Sequence, residues 1–331
     1  YLALGDSYSS GEGDISKKPD GSSYYLPGTE LSGQCHISSR SYPFLLRDYW
    51  AISPTKMKSV ACSGAWMTRD YYAPVKNYLG QHSELRDKSE SDIASERQSS
   101  LDTFRPGVVP QLEFVKKYKP KVLTITGGGN DVGFADILSY CATNVDWLPA
   151  SETCGYAYPG YLHDLLWDAI HSQYDYTVKL IHDVQRASPA TSIYIIGYPS
   201  FVTSHLNICS FNSGLLDRDE LNLLNSAVSE MNLTLKQAAL NTGVRFIDIE
   251  KALEGGRLCE GLEYVTGVVG AYQADKRFDQ AFHPNAAGHN KIATVIEKAI
   301  GPDPNLQHYA TPITLEELEV GTPTYPVTLV Q

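Results

Sequence analysis

The sequence contains no long uninterrupted run of apolar residues. No apolar stretch approaches the roughly 20 residues that a bilayer-spanning helix needs, so no transmembrane segment is predicted. An excess of positive charge is also lacking, because 27 Lys and Arg against 38 Asp and Glu give a formal net charge of -11. Such an acidic chain is poorly suited to a polyanion, and we therefore expect no nucleic acid as a partner.

The sequence also lacks the cysteine spacing of a metal site. Its six cysteines include no C-x-x-C pair, which argues against zinc, and we expect no metal. An even number of cysteines, several of them among Gly and polar residues, indicates three disulfides and an oxidising, extracellular location. About 15 pairings are possible. Sequential pairing is the simplest, because each bond then closes a local segment: Cys35–Cys62, Cys141–Cys154 and Cys209–Cys259.

An initiator methionine and a signal peptide are absent too. The chain begins at Tyr1, within an apolar segment, and we interpret it as a processed mature form or a trimmed chain. With 331 residues, of which 42% are hydrophobic, it is long enough for a large core in one or two domains.

Five short segments have the composition of buried parallel strands. They are rich in aliphatic and β-branched residues, and Gly, Pro or polar residues bound each of them. The predicted strands are Tyr1–Asp6, Met57–Ala61, Lys121–Thr126, Ser192–Gly197 and Val244–Ile249.

Helical patterns separate and follow these strands. The predicted helices are Tyr42–Trp50, Val109–Tyr118, Tyr161–Arg186, Asp217–Asn241 and Asn285–Ile300. The alternation of strands and helices predicts a doubly wound three-layer α/β/α sandwich.

This pattern predicts one domain over residues 1–300 with two surface insertions, near residues 15–34 and 81–100. The second insertion is polar and fits either a charged helix or a loose, solvated loop. Residues 301–331 hold several prolines and no helical period. We expect them to form an extended C-terminal tail along the surface, or a link to a further segment.

Three predicted strands end in turns whose residues suit ester hydrolysis, which needs a nucleophile, a base and donors for the oxyanion. Ser7 follows the first strand and is the candidate nucleophile. The backbone N–H groups of Ser7 and Gly64, with the side-chain amide of Asn130, are candidate oxyanion donors, because these turns meet at one sheet edge. His283, just before the last helix, is the candidate base.

In this order the residues resemble the SGNH, or GDSL-type, serine hydrolases. The resemblance extends from Tyr1 to about Ile300, and it implies a flavodoxin-like sandwich with a five-stranded parallel sheet, and acyl-ester hydrolysis without a cofactor. The cysteines are most similar to those of secreted actinobacterial-type lipases, phospholipases and esterases. The matching blocks are Gly5-Asp6-Ser7, Gly64, Gly128-Gly129-Asn130-Asp131 and His283-Pro284-Asn285.

The sequence departs from this family at the third catalytic member. The family usually places an aspartate three residues before the histidine, where this chain has Gln280. Asp279 could reach His283 through a shifted loop, or a backbone carbonyl near Gln280 could accept the imidazole N–H. We favour the carbonyl, which would fix the tautomer with less charge stabilisation of the imidazolium.

Four other acidic residues lie close to these motifs. We expect Asp6 and Asp131 to accept backbone hydrogen bonds and hold their turns. For Glu12 and Asp14 we expect an exposed acidic loop rather than a cation site.

Taken together, the sequence predicts a secreted, monomeric serine esterase or lipase that hydrolyses esters of lipids or small acyl groups. A carbohydrate esterase that removes acetyl groups from glycans is the alternative within the same chemistry. A non-catalytic binding domain that keeps the fold is the alternative of another class, and the presence of Ser7, Asn130 and His283 argues against it.

Overall fold

The computed structural model describes residues 1–30, 35–68, 89–134, 137, 161–203, 205–206, 208–211, 214–261, 264–275 and 280–301. The predictions for Cys141, Cys154, Asp279 and the tail beyond residue 301 lie outside these residues. Among the helices in these ranges, none is long and apolar enough to cross a membrane.

A five-stranded parallel sheet forms the centre of the fold, with strand order β2-β1-β3-β4-β7. This is the flavodoxin-like order, in which ligands bind beside the carboxyl ends of the first and third strands. Strands β5 and β6 pair separately as an antiparallel hairpin that the sequence analysis did not predict. The strands are β1 (Leu2–Gly5), β2 (Lys58–Ser59), β3 (Val122–Thr126), β4 (Ser192–Ile196), β5 (Ile208–Phe211), β6 (Gly214–Asp217) and β7 (Arg245–Ile247).

The central strands are buried on both faces. Every residue of β1 and β3 is buried, as is the run from Ile193 to Ile196 in β4. Continuous apolar segments form such strands because helices cover both faces of the sheet. The α/β prediction is therefore confirmed, with each strand shorter by one to three residues than expected.

Helices pack around the sheet in two groups. Helices α4, α5 and α6 pack in succession, and α2 packs against α8. The predicted helices agree with the observed ones to within two residues. The α-helices are α1 (Ser7–Ser10), α2 (Tyr42–Tyr49), α3 (Glu90–Asp102), α4 (Gln111–Tyr118), α5 (Tyr161–Ala187), α6 (Arg218–Asn241), α7 (Val268–Asp275) and α8 (Ala286–Ile300).

Helix α3 forms the later part of the second insertion. The Ser89 side chain caps it by accepting from the backbone N–H of Asp92, and only Ile93 and Ser100 are buried. The segment from residue 90 is thus a solvated surface helix, the first of the two expected forms.

Two disulfides join the described segments. Cys35 bonds to Cys62 across 27 residues, beside the end of β2, and Cys209 in β5 bonds to Cys259 across 50 residues. The second bond attaches the β5–β6 hairpin to the chain that follows β7.

Candidate active site

Ser7 lies where β1 turns into α1. Asp6 caps the helix, its side chain accepting from the backbone N–H of Tyr8 at 3.0 Å. Gly5 has φ +152, and a Cβ there would lie 2.6 Å from the carbonyl oxygen of Thr126, so the turn requires glycine. This tight turn presents Ser7 at the carboxyl edge of the sheet.

His283 contacts Ser7 from the loop before α8. Its Nε2 lies 2.8 Å from Ser7 Oγ, and its Nδ1 lies 2.8 Å from the carbonyl oxygen of Ala281. A carbonyl can only accept, so Nδ1 carries the hydrogen and Nε2 is left to accept from the Ser7 hydroxyl. The group that accepts from Nδ1 is therefore a backbone carbonyl one residue after Gln280. The Gln280 side chain instead donates to the Tyr25 hydroxyl at 3.2 Å.

The environment of His283 favours its neutral, basic form. Burial lowers the pKa of its imidazole below the ordinary value, and the charge of Glu12 and the Ala281 carbonyl act in the opposite direction. A neutral imidazole at neutral pH can take a proton from Ser7.

Asn130 lies at the end of β3, on the same edge as Ser7. Its side-chain amide donates to the Ala65 carbonyl at 2.8 Å, which joins the β3 turn to the turn that contains Gly64. Among the described residues, the backbone N–H groups of Ser7 and Gly64 donate no hydrogen bond. These N–H groups and the second hydrogen of the Asn130 amide are the donors available to an oxyanion.

Asp131 holds the turn after β2 in place. Its carboxylate accepts from the backbone N–H of Met67 at 2.6 Å and of Thr68 at 3.0 Å, and from the Thr68 hydroxyl. Asp6 and Asp131 thus accept the backbone hydrogen bonds expected from the sequence.

An apolar pocket opens beside the Ser7 hydroxyl, with about 480 Å³ of space when its part open to solvent is included. Ser7, Asn130 and His283 lie in its lining, whereas Gly64 does not. The other lining residues are mostly apolar or aromatic: Tyr8, Phe134, Tyr198, Pro199, Phe201 and Val228, with Asp6 and Gly129.

The prediction of an exposed acidic loop at Glu12 and Asp14 is wrong. Both side chains are buried, Glu12 within 2.9 Å of His36 Nδ1 and Asp14 in an ion pair with Arg40. Although burial raises the pKa of Glu12, its hydrogen bond to His36 and the charge of that residue lower it below the ordinary value. Partners distant in sequence thus make burial of both carboxylates tolerable.

The residues that follow β4 were not predicted to line the site. Tyr198, Pro199 and Phe201 line the pocket, and they come directly after the fourth strand, at the same edge as Ser7 and Asn130. Their position after a strand of the sheet is the sequence signal that could have indicated them, although they match none of the family blocks.

Within the described ranges, no group of three or more His, Cys, Asp or Glu side chains could hold a metal ion.

Comparisons with known proteins identify relatives of this chain. The chain is 26% identical over 293 residues to a lipase of Streptomyces rimosus, covering 88% of this chain and 82% of that protein. It is 25% identical over 292 residues to Lipase 1 of Streptomyces coelicolor, covering 88% and 82%.

Solved structures share the fold. The structures of phospholipase A1 from Streptomyces albidoflavus and of an extracellular lipase from Streptomyces rimosus each have a TM-score of 0.60. They are 22% and 23% identical to this chain, respectively, and each comparison covers 90% of this chain and 98% of the other.

The sequence model of one family spans most of the chain. It matches residues 3–291, a range that contains Ser7, Gly64, Asn130 and His283. On this match, the chain belongs to the GDSL-like Lipase/Acylhydrolase family and is a carboxylic ester hydrolase.

Proposed function

We propose that this protein is a secreted lipase-type esterase in which Ser7 and His283 form a catalytic dyad. The observation that carries the proposal is the 2.8 Å contact between Ser7 Oγ and His283 Nε2, beside an apolar pocket. The Ala281 carbonyl, at 2.8 Å from Nδ1, takes the orienting place that an aspartate has in a triad.

The reaction would proceed through an acyl-enzyme. His283 Nε2 takes the Ser7 proton as Oγ attacks the ester carbonyl carbon, and the resulting imidazolium then gives that proton to the leaving alcohol. The N–H groups of Ser7 and Gly64 and the Asn130 amide would stabilise the oxyanion. A water molecule, deprotonated by the same imidazole, releases the acid and restores Ser7.

The pocket supports an acyl chain as the group that is bound. Phe134, Phe201 and Val228 offer apolar surface that a fatty acyl chain can cover and that an acetyl group is too small to fill. Relatives named lipases in two Streptomyces species point to the same substrate class. We therefore favour lipid esters over acetylated glycans.

Disulfides and a relative support secretion. The Cys35–Cys62 and Cys209–Cys259 bonds persist in an oxidising compartment, and one structural relative is an extracellular lipase. We further infer that the protein acts as a monomer without a cofactor.

Covalent labelling tests the nucleophile independently of substrate choice. An alkyl fluorophosphonate should add one phosphonyl group to the wild-type protein at Ser7, and Ser7→Ala should abolish both labelling and ester hydrolysis. Ser10→Ala is the matched control, because this serine is buried in the same short helix and its hydroxyl donates to the Ser7 carbonyl at 3.3 Å. Labelling at another serine, or full hydrolysis by a folded Ser7→Ala variant, would refute the assignment.

A substrate panel tests the acyl preference. We expect p-nitrophenyl esters with medium or long chains to have a higher kcat/KM than the acetate, and acetylated xylan to be a poor substrate. A clear preference for acetylated xylan would instead favour the carbohydrate esterase.

A further inference from the structure

The Tyr198 hydroxyl joins the two turns that hold the candidate catalytic groups. It accepts from the backbone N–H of Gly129 at 2.9 Å and donates to the Asp6 carboxylate. A phenol has one hydrogen, and since Gly129 N–H can only donate, that hydrogen goes to Asp6. The turn after β1 and the turn after β3 are therefore connected through a single oxygen atom.

Tyr198 is itself held from outside the pocket. The Asn232 side chain of α6 accepts from the Tyr198 backbone N–H at 2.7 Å and donates to the Tyr198 carbonyl at 2.9 Å. The Asn232 amide also donates to Glu250 at 3.0 Å, and the Tyr198 ring packs edge-on against Tyr8 at 5.3 Å. The two hydrogen bonds from Asn232 clamp the Tyr198 backbone, and the Tyr8 ring packs against its side chain, so the position of the hydroxyl is fixed.

The contact with Gly129 is close to the catalytic groups. Gly129 immediately precedes Asn130, and a Cβ at position 129 would lie 3.2 Å from the Tyr198 hydroxyl oxygen. The Asn130 amide is anchored on its other side by the Ala65 carbonyl at 2.8 Å. A shift of the Gly129 backbone would therefore move the Asn130 side chain relative to Ser7.

We propose that Tyr198 is a positioning residue for the oxyanion hole, with its hydroxyl setting the separation between the Ser7 turn and the Asn130 turn. This inference rests on the proposed role of Asn130 as an oxyanion donor. Donors stabilise an oxyanion fully only at about 2.7–3.1 Å, so a small displacement weakens transition-state stabilisation without altering the binding of the acyl chain.

Tyr198→Phe tests the hydroxyl alone, because the ring that lines the pocket is kept. We expect kcat to fall by about 10- to 100-fold, less than for complete loss of a donor, with KM changed by less than about twofold. A purely structural role would lower the melting temperature and leave the kcat of the folded protein unchanged, and that result would overturn the proposal.

Tyr1→Phe is the matched control. The Tyr1 hydroxyl lies 2.8 Å from the hydroxyl of Thr124, inside β3 and before the turn that holds Asn130, so it does not join the two turns. We expect this variant to lose stability as Tyr198→Phe does, but to keep kcat within about twofold of the wild type. An equal loss of kcat in the two variants would show that any lost tyrosine hydroxyl has this effect, and would contradict the proposal.

A double-mutant cycle with Asn130→Ala tests whether Tyr198 acts through Asn130. Residues that act as a unit are non-additive, so Tyr198→Phe should have almost no further effect on kcat in the Asn130→Ala background. Additive losses would overturn the positioning role while leaving the oxyanion assignment in place. No effect of Asn130→Ala alone would instead refute the oxyanion assignment on which the inference rests.

If Tyr198→Phe does not fold, Asn232→Ala provides a second test. It removes both hydrogen bonds to the Tyr198 backbone and the donor to Glu250, without placing a second carboxylate beside Glu250 and without touching the pocket. We expect the same selective fall in kcat, and an unchanged kcat in a folded Asn232→Ala protein would overturn the inference.

Discussion

His283 Nε2 lies 2.8 Å from Ser7 Oγ, although 276 residues separate them in the chain. Backbone contacts maintain this pairing. The carbonyl of His283 accepts from Thr266 N–H at 2.9 Å, and Gly13 lies so close to His283 that a Cβ would be 2.7 Å from the same carbonyl oxygen. The segment after the nucleophile thus packs directly against the loop of the base.

Loss of the Asn130 amide is expected to slow the chemical step. Asn130→Ala should lower kcat by on the order of 10²–10³ and leave KM almost unchanged, because the lost donor acts on the oxyanion. Steady-state kinetics on a long-chain ester measures this split. Asn290→Ala is the control, since Asn290 is exposed and donates to Tyr49 away from the pocket. A change confined to KM would make Asn130 a substrate-binding residue instead.

Because the Ala281 carbonyl accepts from His283 Nδ1, we expect that no carboxylate completes a catalytic triad. Asp279→Asn should keep most of the activity, whereas His283→Ala should lose nearly all of it, because Nδ1 of His283 already donates to a carbonyl at 2.8 Å. Loss of a true triad aspartate costs about 10⁴ in kcat in a serine protease. A fall of that size in Asp279→Asn, with an unchanged melting temperature, would refute the dyad.

The Glu12 charge is expected to shift the acidic limb of the pH profile to higher pH. Burial lowers the pKa of His283, and the Glu12 carboxylate raises it. Glu12→Gln removes the raising charge and should move the acidic limb of kcat/KM to lower pH, while kcat on the plateau falls because the imidazolium is less stabilised.

Asp14→Asn is the control for the Glu12 variant. Asp14 is a buried carboxylate two residues along the same loop, and its partners are Arg40 and Ser38 rather than His36. This variant should lose stability without moving the acidic limb. An acidic limb that moves to higher pH in Glu12→Gln, or that stays in place, would show that the Glu12 charge does not act on His283.

The size of the side chain at position 228 is expected to limit the length of acyl chain that the pocket accepts. Val228→Phe should fill the pocket and lower kcat/KM for long-chain esters by about tenfold or more, and the acetate should be little affected. Leu233→Phe is the control on the same helix, because Leu233 is exposed. Equal losses on long and short esters would place the acyl chain elsewhere.

Removal of the Cys209–Cys259 bond should destabilise the protein. Changing both residues to Ser opens a loop of 50 residues and should lower the free energy of unfolding by about 4 kcal/mol, measured by denaturant unfolding. Peptide mapping without reduction should find this bond, Cys35–Cys62 and the predicted Cys141–Cys154. Free thiols at these positions in the native protein would contradict a secreted origin.

Local composition was sufficient to predict the sheet and most helices. Segments such as Ile193–Ile196 are short and apolar throughout, and a strand buried on both faces suits them. The order of Ser7, Gly64, Asn130 and His283 along the chain then indicated the chemistry, because parallel strands bring their carboxyl ends to one edge. The hairpin of β5 and β6 escaped prediction, since its residues lack regular alternation.

Contacts distant in sequence decided the rest of the site. Glu12 looks exposed among its neighbours, yet His36 lies 24 residues away in the chain and meets its buried carboxylate. The carbonyl that orients His283 depends on the path of the loop, and every residue type has a carbonyl, so composition cannot indicate which one is used. The Tyr198 hydroxyl reaches Asp6 from 192 residues away. Such pairings form because the packed sheet brings side chains that are far apart in sequence within hydrogen-bond distance. Local sequence patterns carry no information about which of these side chains meet.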